Sequence, residues 1–167
     1  KMLIVLDPTE TLAGAEEEAE NLCALLDQYK AIDITLLGGK HIRKLDLLKE
    51  LYTADLVHYA GHATFDPTNL SNSGWLLHDE VLTAADINRL ERAPRLVFAN
   101  ACQAGTTGPW SGQHRFAGEA FGVGSGFLLA GVRNYIGSLW MIHDARSATF
   151  ATVFYQSLLH GRSIGEA

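Results

Sequence analysis

Two residues have the types and settings for covalent chemistry: Cys102 and His62. Cys102 lies near the end of Arg95-Leu-Val-Phe-Ala-Asn-Ala-Cys-Gln-Ala-Gly105, a short apolar run that passes into small and polar residues. His62 ends a stretch of the same design, Ala54-Asp-Leu-Val-His-Tyr-Ala-Gly-His62. Each run has the β-favouring composition of a buried strand. In open α/β sheets the carboxyl ends of strands form the ligand crevice. A thiol becomes a nucleophile near neutral pH when a base within hydrogen-bond reach takes its proton. If the two strands are neighbours in a parallel sheet, His62 is that base, and the chemistry is thiolate attack on a carbonyl. The oxyanion so formed needs backbone donors, for which the N–H groups of Cys102 and Ala63 are candidates. The residues alone leave a second reading open: Cys102 as a small buried hydrophobe, and two unrelated strand-end residues.

Other groupings carry less chemistry. His58 and His62 are four apart, which invites a metal. They sit on a strand and its exit, no HExxH is present, and no thiol follows at ligand spacing, so no metal is expected. Gly122-Val-Gly124-Ser-Gly126 lacks the spacing of a dinucleotide loop and falls in a helical segment, where packing explains it better. Asp144 follows a strand at the same sheet edge; it caps a helix or lines a substrate pocket that favours a basic residue. Trp140 and Trp110 are candidate pocket walls, with core packing as the alternative for Trp140. Gln103 opens a long loop to Arg115, and loops of that length in compact domains are usually functional or disordered. Cys23 lies in a helical pattern and reads as packing.

The elements that would position these groups alternate. Strands are expected at Met2–Leu6, Ile32–Leu37, Ala54–Tyr59, Leu96–Ala99 and Asn134–Leu139. Helices are expected at Leu12–Tyr29, His41–Leu51, Ala84–Arg92, Phe116–Ala130 and Ala145–His160. Thr83 is the expected cap of the third helix, with Asp86 as its capping acid. Ile42, Leu45, Leu48 and Leu51 form the expected apolar face of the second. Trp75–Leu77, between turn clusters, suggests a small hairpin beside the main sheet. Such alternation means a mostly parallel sheet with helices on both faces, an α/β/α sandwich. The separation of about 40 residues between His62 and Cys102 suits one helical crossover plus that excursion.

Composition bounds the rest. The 167 residues suit one domain, residues 1–167, with a substantial core. The formal net charge of −6, without a Lys/Arg run, disfavours nucleic acid and anionic membranes as partners. Glu16-Glu-Glu18 with Glu20 reads as a solvated helix start. Two cysteines without a CxxC argue against a disulfide framework, so a reducing, cytoplasmic setting is the default. No apolar run reaches transmembrane length. Lys1 at the start and Gly165-Glu-Ala167 at the end suggest a domain cut from a longer chain.

The joint order of several motifs resembles the CHAT domain family, a caspase-like (clan CD) branch of cysteine peptidases often attached to tetratricopeptide repeats. The motifs are Leu12-Ala-Gly-Ala-Glu-Glu-Glu-Ala19, Val57-His-Tyr-Ala-Gly-His62, Leu82-Thr-Ala-Ala-Asp86 and Ala101-Cys-Gln-Ala-Gly105, then Phe127-Leu-Leu-Ala-Gly-Val132, Gly137-Ser-Leu-Trp140 and Gly161-Arg-Ser163. They span nearly the whole chain. The resemblance implies a caspase-like fold with His62 and Cys102 as the catalytic pair and no metal or organic cofactor. It implies a protein or peptide substrate and a tetratricopeptide-repeat region as a partner in the full-length protein. Two departures stand out. Ala63 replaces the glycine that usually follows the histidine, which bears on the oxyanion hole. Gln103-Ala104-Gly105 replaces a common Glu-Thr-Gly, which bears on substrate choice. Three functions are thus in play: a cysteine endopeptidase, a non-catalytic interaction module, and small-molecule acyl transfer.

Overall fold

The computed structural model describes residues 1–64, 66, 68–101, 123–137 and 144–167. Five strands, β1 (Met2–Leu6), β2 (Ile34–Gly38), β3 (Leu56–Gly61), β7 (Leu96–Ala101) and β8 (Asn134–Gly137), form one sheet in the order β2-β1-β3-β7-β8. Every pairing in it is parallel. Successive side chains alternate between faces, and both faces are buried. Met2, Ile4, Leu96 and Phe98 pack with Leu22 and Leu26 of α1 (Ala15–Leu26) and with Phe154 and Tyr155 of α5 (Asp144–Leu159). Leu3, Val5, Val57, Tyr59, Val97 and Ala99 face the other way. They meet α2 (Lys44–Thr53), α3 (Ala84–Ile87) and α4 (123–129) through Leu47, Leu51, Ile87 and Phe127. This is the three-layer sandwich that the alternation predicts.

The excursion after β3 is larger than a hairpin. It is a three-stranded antiparallel sheet of β4 (Ala63–Thr64), β5 (Gly74–Leu76) and β6 (Val81–Thr83). Its Trp75 is buried and stacks on Tyr59, ring centroids 4.1 Å apart and nearly coplanar in tilt, which fastens the small sheet onto the main one. The expected capping box on α3 is present. Asp86 N–H donates to the Thr83 hydroxyl, and the Asp86 carboxylate accepts from the Thr83 N–H. The helix is shorter than expected because after Ile87 the backbone tightens into three-residue turns, Arg89 N–H to Asp86 and Leu90 N–H to Ile87.

Three expectations need correction. Ile42 precedes α2, behind a 3₁₀ turn at Gly39–His41, so its phase with Leu45 is not helical. Leu47 and Leu51, one turn apart, carry the buried face, and Leu45 is 71% exposed. Glu18 is not solvated: the pitch of α1 turns it inward with Ala15, Ala19 and Leu22, leaving it 3% exposed. α5 begins at Asp144 itself, one residue earlier than expected. The glycines of α4 do serve packing. A Cβ on Gly126 would stand 2.8 Å from that of Ala84, so α4 lies close on α3 only because the side chain is missing.

Candidate active site

β3 and β7 are adjacent, and their last residues are partners, Gly61 opposite Ala101. His62 follows the first strand and Cys102 the second. Cys102 lies outside the described residues, as do Gln103, Trp110 and Trp140; Asp144 opens α5, and its side chain lies outside them too.

The exit from β3 is built by Tyr59. Its buried hydroxyl donates to the carbonyl of His62 at 2.7 Å and lies 3.1 Å from that of Leu76. Burial, assisted by the charges of Tyr135 and Asp7, pushes this phenol well above its usual range, so it stays a donor. Gly61 is required beside it, because a Cβ there would fall 2.4 Å from the Tyr59 oxygen. The His62 carbonyl also accepts from the Leu76 N–H at 2.8 Å. His62 and Leu76 therefore hold a hydrogen-bonded position of the β4–β5 ladder, and Ala63 opposite Trp75 holds the next, non-bonded one. The Ala63 N–H is thus directed away from β5, on the outer edge of the small sheet. Ala63 has none of the positive φ that would call for glycine; among the described non-glycine residues only Asp7 and Glu10 do. Alanine in this position costs no backbone strain.

The His62 side chain is 4% exposed, and its Nε2 lies 2.7 Å from the Thr11 hydroxyl oxygen. Thr11 comes from the loop between β1 and α1. Within that loop Thr11 bonds Thr9 at 2.8 Å, and Thr9 donates to the buried Asp7 carboxylate at 3.0 Å. The other Asp7 oxygen accepts from the Leu12 N–H at 2.7 Å. A cleft of about 480 Å³ opens beside the loop, lined by Asp7, Glu10, Thr11 and Glu16 among others.

His58, four residues back, occupies another environment. Its side chain points into the α1/α5 layer, fully buried and stacked on Phe98 at 5.2 Å. Its Nε2 is 3.1 Å from a Glu18 oxygen, close but not aligned as a hydrogen bond, and its Nδ1 is 3.4 Å from the Tyr155 hydroxyl. The Glu18 carboxylate accepts both its strong bonds from the Asn100 amide, at 2.9 and 3.0 Å, and the Asn100 oxygen accepts from Ser147 at 2.8 Å. A cavity of about 20 Å³ adjoins Glu18, Asn100 and Ser147. The two histidines face different partners and do not converge on one ion, and no three metal-ligating side chains cluster among the described residues.

Thr11, Tyr59 and the Asp7–Thr9 pair were absent from the sequence-derived site. The only hint was local, an Asp-Pro-Thr-x-Thr run straight after a strand. Cys23, the other thiol, is half-buried in α1, where burial and then the charge of Asp27 raise its pKa and disfavour the thiolate. No described helix is long and apolar enough to cross a membrane.

Compared with known families, residues 4–167 match the model described as CHAT domain. No curated protein matches the chain. The five-stranded parallel sheet between helical layers, with its small antiparallel sheet, agrees with the caspase-like fold of that family.

Proposed function

The chain belongs to the CHAT domain family, and on that premise we propose that it is a cysteine endopeptidase domain acting through Cys102 and His62. The observation that carries this reading is the register of β3 and β7: Gly61 and Ala101 are paired, and the next residue along each chain is a member of the proposed dyad. The burial of His62 and the 2.7 Å contact of its Nε2 with the Thr11 hydroxyl support a base of fixed orientation.

The proposed reaction runs in two halves. His62 takes the Cys102 proton, and the thiolate attacks the scissile carbonyl carbon, forming a C–S bond and an oxyanion. Ala63 N–H and Cys102 N–H are the proposed donors to that oxyanion. His62 returns the proton to the leaving amine as the C–N bond breaks. Water, with its proton taken by His62, then attacks the thioester, releasing the carboxyl product and restoring the thiol. The loop from Gln103 to Arg115 and the segment from Trp140 to Asp144 are the proposed substrate-shaping elements. A protein or peptide is the proposed substrate, and an attached or partner region the proposed regulator.

Two measurements test this. With iodoacetamide at neutral pH, Cys102 is expected to label rapidly and Cys23 slowly, with the Cys102 rate lost in His62→Ala. Equal slow labelling of both thiols would favour an interaction module. New protein termini should then appear with wild type and not with Cys102→Ala; rapid labelling with no new termini would point to small-molecule acyl transfer.

A further inference from the structure

The hydroxyl chain beside His62 has a direction, and the direction follows from counting hydrogens. A carboxylate only accepts, so the Asp7 oxygen 3.0 Å from Thr9 takes the single hydroxyl hydrogen of Thr9. Thr9 then has no hydrogen for Thr11, and the 2.8 Å contact between the two hydroxyls must be Thr11 donating to Thr9. Thr11 has in turn no hydrogen for the ring, and the 2.7 Å contact with His62 Nε2 must be the ring N–H donating to Thr11. Each link is short, each hydroxyl donates once and accepts once, and the chain ends on a carboxylate that is 9% exposed. Such chains polarise along their length.

The backbone of the loop is held in unusual conformations. Asp7 at φ 32° and Glu10 at φ 56° are the non-glycine residues with left-handed backbone among those described, and they bracket Thr9. Residues held this way are strained, and they cluster at functional sites. The strain is offset by bonds that fix the loop. Leu12 N–H reaches Asp7, Glu10 N–H reaches the Asp7 carbonyl, and the Glu10 carboxylate bonds the Lys40 backbone N–H and its ammonium, at 3.1 and 2.8 Å. The loop is thereby anchored to the turn after β2 while presenting Thr11 to the imidazole.

We propose that Asp7, Thr9 and Thr11 are positioning residues that hold neutral His62 with its proton on Nε2, leaving Nδ1 as the nitrogen that accepts the thiol proton. This rests on the peptidase reading for its purpose, but not for its geometry. The relay supplies what a carboxylate supplies to the histidine of a catalytic triad: it selects the tautomer, fixes the ring plane and stabilises the imidazolium. Here the carboxylate works through two hydroxyls instead of touching the ring. A relay of this kind would be lost with the hydroxyls and kept by serine.

The test is a long-range ¹H–¹⁵N spectrum of the histidine side chains, recorded on the Cys102→Ala chain so that thiol chemistry is removed. Neutral His62 is expected as the Nε2–H tautomer, with a change to mixed tautomers in Thr11→Val and the original pattern in Thr11→Ser. The labelling rate of Cys102 in the chain with its thiol should fall about tenfold or more in Thr11→Val and Thr9→Val and recover in Thr11→Ser. An Nδ1–H tautomer in the parent, or a Thr11→Val spectrum identical to it, would overturn the relay even if proteins are cleaved. Conversely, the expected spectra with no cleaved protein would retain the relay and remove the peptidase reading.

Discussion

His58 and His62 leave the same strand four residues apart, and they do opposite things. His58 is sealed between α1 and α5 against Phe98, Tyr155 and Glu18, where nothing from solvent reaches it. His62 is nearly as buried, yet it stands where the strand ends, beside the exposed Thr11 and the cleft along its loop. Burial alone therefore does not separate a structural histidine from a catalytic candidate. The difference lies in what surrounds each ring. Around His58 the helices close the volume on every side, and its polar neighbours satisfy each other. Around His62 the ring meets the Thr11 hydroxyl of the β1–α1 loop, and the peptide group behind it is held by Tyr59 and Leu76.

If that contrast is right, the interior should govern stability and the sheet edge should govern thiol reactivity. The largest effect is expected for Glu18→Ala, which removes the acceptor of both Asn100 amide bonds beside His58. It should cost about 3 kcal/mol in urea unfolding, the scale of leaving buried polar groups unpaired. The folded fraction should label at Cys102 as fast as wild type, and slowed labelling would break the contrast. Next comes Gly61→Ala, where the new methyl must displace the Tyr59 hydroxyl. A loss of about 2 kcal/mol is expected from overpacking, accompanied by slower labelling, because the exit of His62 shifts. Thr83→Ala should lose about 1 kcal/mol with its cap and leave labelling unchanged, which separates general destabilisation from damage at the edge.

The smallest effect concerns acid. Burial raises the Asp86 carboxyl, but bonds from the Thr83 side chain and backbone and from Lys44 outweigh it and hold the group below its ordinary value. A depressed folded value means the contribution is present above the unfolded pKa, about 4, and is lost as pH falls through the folded one. Asp86→Asn should flatten that acid limb of the stability profile slightly without touching reactivity.

The main sheet was legible because its strands are apolar runs that are buried on both faces; β1 and β7 begin and end within about two residues of expectation, inside the ordinary scatter of element boundaries. The capping box was legible because Thr83 and Asp86 are three apart and act locally. Glu18 was misread because a run of glutamates looks solvated, and only the helical pitch reveals which member turns inward. The pairing of Thr11 with His62 had no signature, since the two lie 51 residues apart and meet through a loop. Leu45 was misplaced because a 3₁₀ turn before α2 reset the phase of its apolar spacing.

The carbonyl of His62 accepts at once from Tyr59 in the main sheet and from Leu76 in the small one. The excursion after β3 is therefore a lever whose short arm is the histidine's own peptide group. A binding partner that displaced the β5–β6 hairpin would pull on that peptide group and, through the Trp75–Tyr59 stack, on β3 as well.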